Sequence, residues 1–158
     1  MTTMPGSTAT DEPRTSRWIA ACCLTIVAAL VLGVGLATGL IFRHVVQTVP
    51  LWIAAGLSLR RSRAAACVAA PCFLFWLALM GIIWLFLLGV ATLVHGHFSP
   101  IEIAMTICVG GASALGIGWA VRVWRRVPVP VAASLFVLGA MLQWICFRLS
   151  FLPAFVSR

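Results

Sequence analysis

The sequence predicts an all-α integral membrane protein: a four-helix transmembrane bundle with a short interfacial helix between its first two spans. Four long segments, residues 18–42, 64–94, 101–121 and 127–147, are apolar throughout and contain no charged residue except Glu102. Each reaches the roughly 20 residues that a helix needs to cross about 30 Å of hydrocarbon. Hydrophobic residues make up 63% of the 158-residue chain and charged residues 9%, with a mean hydropathy of +1.12, too little polar surface for a soluble domain of this size.

Residues 1–17 are rich in Thr, Ser, Pro and Gly, include Asp11 and Glu12, and have no apolar periodicity, so they read as a disordered tail. Arg14 and Arg17 precede the first apolar run as in a signal peptide. The run's 25 residues exceed a signal core of roughly 7 to 15, and an uncleaved anchor is expected. Residues 45–59 are the ambiguous stretch. As a helix they would measure about 22 Å, and Pro50 interrupts them, so an interfacial helix carrying Trp52 is expected. The second segment is longer than a bilayer requires, and Pro71 marks the end where its excess falls.

Residues 95–100 are too few for anything but a hairpin turn, which makes the second and third spans antiparallel neighbours. Residues 122–130 form a basic loop with Arg122, Arg125 and Arg126, and residues 148–158 read as an interfacial tail. With four spans, Arg14, Arg17, Arg148 and Arg158 share one side, against seven arginines on the other. If 45–59 also crossed, eight would stand against three. Charge favours five crossings and length favours four; length is given more weight, because a short proline-containing span leaves backbone groups unsatisfied in lipid.

All eleven basic residues are Arg, and Lys and Tyr are absent, a usage that suggests a GC-rich bacterial gene and an inner-membrane location. The net charge of +8 clusters at the ends of apolar segments, where it suits lipid headgroups; no nucleic-acid partner is expected. Cys22, Cys23, Cys67, Cys72, Cys108 and Cys146 contain no CxxC pair and read as small buried hydrophobes.

The residues with chemical potential are few. Ser99, Pro100 and Glu102 spell a capping box with proline at the first helical position. His95, His97 and Glu102 are the only cluster of nitrogen and oxygen donors. No metal and no cofactor are assigned to them, because two histidines at an interface are ordinarily solvated. His44 falls on the opposite side from that turn if there are four spans. Gly35 and Gly39 form a GxxxG pair and Gly110, Ala114 and Gly118 a stripe of small residues, both read as helix-packing faces within the bundle or toward another chain. Trp18, Trp119, Trp124 and Trp144 suit the headgroup level. Phe73, Phe75, Trp76 and Trp84 read as packing residues, and Gln143 as a hydrogen-bonding group between helices.

Phosphate-binding and hydrolase motifs, paired intramembrane acids and buried helix charges are missing. The expected function is therefore non-catalytic: a small polytopic membrane protein, an accessory or structural component of a membrane assembly, with the lipid bilayer and a homo-oligomer or larger complex as partners. The alternative is a small oligomeric transporter or channel using a ring of Gln143 or Ser113, and a third is a metal-dependent enzyme on His95, His97 and Glu102.

Overall fold

In the computed structural model, which describes residues 11–90 and 98–152, every element is helical. The chain runs through α1 (Asp11–Ala28), a π-helical segment (Ala29–Val34), α2 (Gly35–Thr38), α3 (Ile41–Leu59), α4 (Ala64–Leu87), α5 (Pro100–Trp124) and α6 (Val129–Leu149). The first three form one continuous rod, since Ala28 at the first junction and Val34 and Gly35 at the second keep right-handed helical dihedrals. Four helices are long and apolar enough to cross a membrane: Arg14–Thr38, Ala64–Leu87, Pro100–Trp124 and Val129–Leu149.

The first helix starts at Asp11 rather than near Trp18, where the sequence places the end of a disordered tail. Tertiary contact accounts for the added turns. Thr15 and Ile19 are buried, and Ser16 Oγ donates to the carbonyl of Ser58 at the far end of α3. That rod ends at Gly39, whose φ of 70° is the left-handed conformation that lets the chain turn back without a Cβ penalty. In the turn, a Cβ on Gly35 would lie 3.2 Å from the Ile41 Cα, so the two arms of the hairpin touch as soon as it closes.

The segment expected to be a short interfacial helix between the first two spans falls within α3. Helix α3 has 19 residues, about 28 Å, and packs against α1, α4 and α6. It runs antiparallel to α1, because its start lies by Gly35 and its end by Ser16. Gln47, Thr48, Pro50, Leu51, Ala54, Ala55 and Ser58 are buried at helical spacing along one face. Pro50 is accommodated inside that helix, and Thr48 Oγ1 donates back to the His44 carbonyl one turn earlier at 2.9 Å. The helix closes with two Schellman bonds, Ser62 N to Leu57 O at 3.0 Å and Arg61 N to Ser58 O at 2.9 Å.

The remaining contacts fix the topology. Trp18 stacks on Trp119 with ring centroids 6.1 Å apart, and Gly33 meets Met105, so α5 is antiparallel to the first rod. Phe73 seats on Gly116 and Met80 on Gly110, so α5 is also antiparallel to α4, as the hairpin reading expects. Gly139 lies against Val68 and Phe147 against Phe75, which makes α6 parallel to α4. The chain therefore traverses the bundle five times. The start of α1, the α3–α4 turn and the α5–α6 turn share one end; the Gly39 turn, the start of α5 and the end of α6 share the other.

This arrangement sorts the arginines. Arg14, Arg17, Arg60, Arg61, Arg63, Arg122, Arg125 and Arg126 are exposed at the first end, whereas Arg43 and Arg148 stand at the second. Between the ends, Ile19, Cys23, Ile26, Leu51, Cys72 and Phe73 form a closed core.

Gly139 and Gly116 are where α4 is approached most closely. A Cβ on Gly139 would sit 2.9 Å from the Val68 carbonyl oxygen and one on Gly116 would sit 2.6 Å from the Phe73 ring, whereas Gly118 has nothing within 4 Å. Gly139→Ala is expected to destabilise by about 1–3 kcal/mol through overpacking, and Gly118→Ala to stay within about 0.5 kcal/mol of the parent. Denaturant titration of the purified protein in detergent, followed by circular dichroism, checks both; equal midpoints would contradict this packing.

Candidate functional site

At the end opposite the arginine cluster the helices do not close completely. A cavity of about 400 Å³ lies between all five traverses, within the range of roughly 300–1,000 Å³ typical of small-molecule sites. Leu30 and Val34 of the π-helical segment, Trp76 and Met80 of α4 and Val109 of α5 give it apolar walls. A π-helical turn displaces side chains from the ordinary helical register, and here its residues form one wall of the opening.

The polar groups enter from α3 and α5. Arg43, His44 and Gln47 line the cavity on one side and Glu102 and Thr106 on the other. Arg43 Cζ lies 4.0 Å above the Phe151 ring, a cation–π contact, while its Nε is buried without a hydrogen-bond partner. His44 Nδ1 is 2.9 Å from the Leu40 carbonyl oxygen. A carbonyl only accepts, so Nδ1 is the donor and the neutral ring presents Nε2 as an acceptor.

Behind the cavity, buried amides tie α3 to α6. Gln143 Nε2 donates to the Gln47 carbonyl at 3.2 Å, and Gln47 Nε2 donates to Ser150 Oγ at 2.9 Å. Ser150 Oγ in turn donates to the Phe147 carbonyl at 2.6 Å. Gln143 thus bonds a neighbouring helix, as its position in an apolar segment suggests. These bonds hold the base of α3 in register with the end of α6 and fix the direction from which Arg43 meets Phe151.

The capping box at α5 is complete. Ser99 N and Ser99 Oγ both donate to Glu102 Oε2, at 2.7 and 2.8 Å, and the Glu102 amide donates to Ser99 Oγ at 3.3 Å. His95 and His97 lie outside the described residues. Among the described residues there is no group of three or more His, Cys, Asp or Glu side chains arranged to hold a metal ion. His44 is not separated from Glu102 as four spans would require; both line the same cavity.

The small-residue faces divide. Gly35 is buried against the start of α3, whereas Gly39 is an exposed turn residue and not part of a packing face. A Cβ on Gly110 would lie 3.8 Å from the Met80 Cβ, while Ala114 and Gly118 are exposed on the outer side of α5. The closest helix contacts use Gly33, Gly116 and Gly139 instead. Spacing carries a signal for one of them, since Ala112, Gly116 and Ala120 recur at i, i+4 and i+8 on the buried side of α5, whereas Gly139 is isolated in its helix. Five of the cysteines are buried and Cys108 is exposed, and all six are free.

The comparisons with known proteins leave the site to be judged on its geometry: no family model, no curated protein and no solved structure matches the chain. Sequence reasoning missed Arg43 and Gln47 as site residues. Arg43 looks like any arginine closing an apolar run, and the one available signal was its adjacency to His44 and Gln47 ahead of a proline-containing stretch that neither charge nor length placed cleanly.

Proposed function

We propose that this chain is a non-catalytic, five-pass protein of a bacterial inner membrane, an accessory component of a membrane assembly, with its amino terminus in the cytoplasm and its carboxyl terminus outside. The observation that carries the reading is the segregation of eight exposed arginines to one end of the bundle. Cytoplasmic loops retain Arg and Lys, so that end is assigned to the cytoplasm.

Helix α3 supports the fifth crossing. Its buried face carries the polar residues Gln47, Thr48 and Ser58, and its exposed face carries Phe42, Val45, Val49, Trp52, Ile53 and Leu59. A helix lying at an interface directs polar groups to water and apolar ones inward. The reverse arrangement fits a helix whose outer side faces lipid. The arginine-only basic composition supports the bacterial source.

A non-catalytic role is supported by the acid available in the cavity: Glu102 is engaged by both the amide and the hydroxyl of Ser99. The closed core between the two ends disfavours a transport path through a single chain. Association with a second copy or another membrane protein is supported on α5, where Ala114 and Gly118 face outward and allow a close helix approach.

Reporters active on one side of the membrane, fused at the two termini, are expected to place the amino terminus inside and the carboxyl terminus outside; both outside would restore four crossings. With the native cysteines replaced, Gly118→Cys is expected to give a cross-linked adduct in intact membranes, to itself or to a membrane partner. Exclusive recovery of uncross-linked chain would contradict the accessory role through this face.

A further inference from the structure

We propose that the cavity binds a single-chain fatty acid, with its carboxyl head between Arg43 and His44 and its chain among Trp76, Met80 and Val109. The inference deepens the membrane reading and rests on it for the ligand's route, since a lipophilic acid would reach the site from the bilayer.

Three observations converge on that chemistry. Arg43 is half-buried on the cavity wall, has no ion pair among the described residues, and its Nε has no hydrogen-bond partner. A guanidinium in apolar surroundings is costly until an anion matches it, and its planar fork fits a carboxylate. Glu102 lines the same cavity, but its Oε2 accepts two bonds from Ser99 at the amino terminus of α5, where the helix dipole offsets its charge.

His44 narrows the headgroup. Its Nδ1–H is directed to the Leu40 carbonyl, leaving Nε2 as a lone-pair acceptor. A carboxylic acid satisfies both neighbours at once: entering protonated, it gives its proton to Nε2, and the carboxylate left behind accepts from Arg43 with one oxygen and from Nε2–H with the other. A phosphodiester headgroup has no such proton to share.

Size sets the chain. The cavity of about 400 Å³ lies toward the lower end of the roughly 300–1,000 Å³ of small-molecule sites, which suits one medium-length acyl chain. The walls beyond the head are apolar, as such a chain requires.

The test uses the full chain in phosphatidylcholine nanodiscs, titrated with radiolabelled dodecanoic acid and corrected with empty discs. The expected result is saturable binding of one acid per chain, displaced by unlabelled dodecanoate and not by dodecanol or dodecyltrimethylammonium. Arg43→Gln should weaken it at least tenfold, and Leu79→Trp, which fills the cavity from a half-buried wall position, should abolish it. Should either variant misfold, the competition series on the parent chain still decides. Uptake no greater than that of empty discs, or displacement by dodecanol as effective as by dodecanoate, would overturn the proposal. So would its loss when the discs contain phosphatidylglycerol, which would make a phosphodiester lipid the occupant. Failure of the membrane reading would look different: alkaline washing would release the chain from membranes whatever the nanodiscs bind.

Discussion

Helix α3 carries Gln47, Thr48, Ser58 and Pro50 within one 19-residue segment, more polar and proline-altered backbone than a helix can expose to hydrocarbon, and the bundle is arranged to cover it. The first rod lies along one side, α4 and α6 close the others, and the polar face turns inward. Each buried polar group left without a partner would cost on the order of 1–3 kcal/mol. Gln47, Gln143 and Ser150 are linked across α3 and α6, while Gln143 Oε1 and Ser58 Oγ are buried without a partner. Because α3 is held along its whole length, the chain passes back beside α1, and every later helix has its direction set by that return.

The two ends of the bundle then differ in kind. At the arginine end the first, third and fifth traverses bring three basic segments together, and Arg122 over Trp119 joins the Trp18 stack in a layer of aromatic and cationic groups. At the other end the Gly39 turn and the π-helical segment leave the helices less tightly closed, and the cavity forms there. The same antiparallel return that hides the polar face of α3 also brings Arg43 and His44 to the mouth of α5. The cavity is thus a by-product of the way α3 is buried.

The four apolar spans were legible because length and composition act locally: a run of some 20 apolar residues has one inexpensive solution in lipid. The capping box at Ser99 and Glu102 was equally legible, its partners being three residues apart. What the sequence obscured depends on distant partners. Gln47 meets Ser150 across 103 positions and Gln143 meets Gln47 across 96, so the segment 45–59 reads alone as too short and proline-broken to cross. Arginine counting favours five crossings and length favours four; the contacts of α3 show how a segment with a polar, proline-containing face is packed within the bundle, since a helix covered by protein need not be apolar on every side. The small-residue faces divide for a related reason. Small-residue spacing marks where a close approach is possible, but the approach occurs at Gly116 and Gly139, where Phe73 and the α4 backbone happen to lie.

The central claim is that α3 is held in the bundle at both ends, against α1 at Ser58 and against α6 at Gln47, and a pair of distance-limited cross-links tests it most directly. In a background without native cysteines, Ser16→Cys with Ser58→Cys probes one end and Gln47→Cys with Ser150→Cys the other, each treated in intact membranes with a short bifunctional reagent. The account predicts efficient intramolecular cross-linking of both pairs. Cross-linking of neither, as for a helix lying on the membrane surface apart from the bundle, would contradict it.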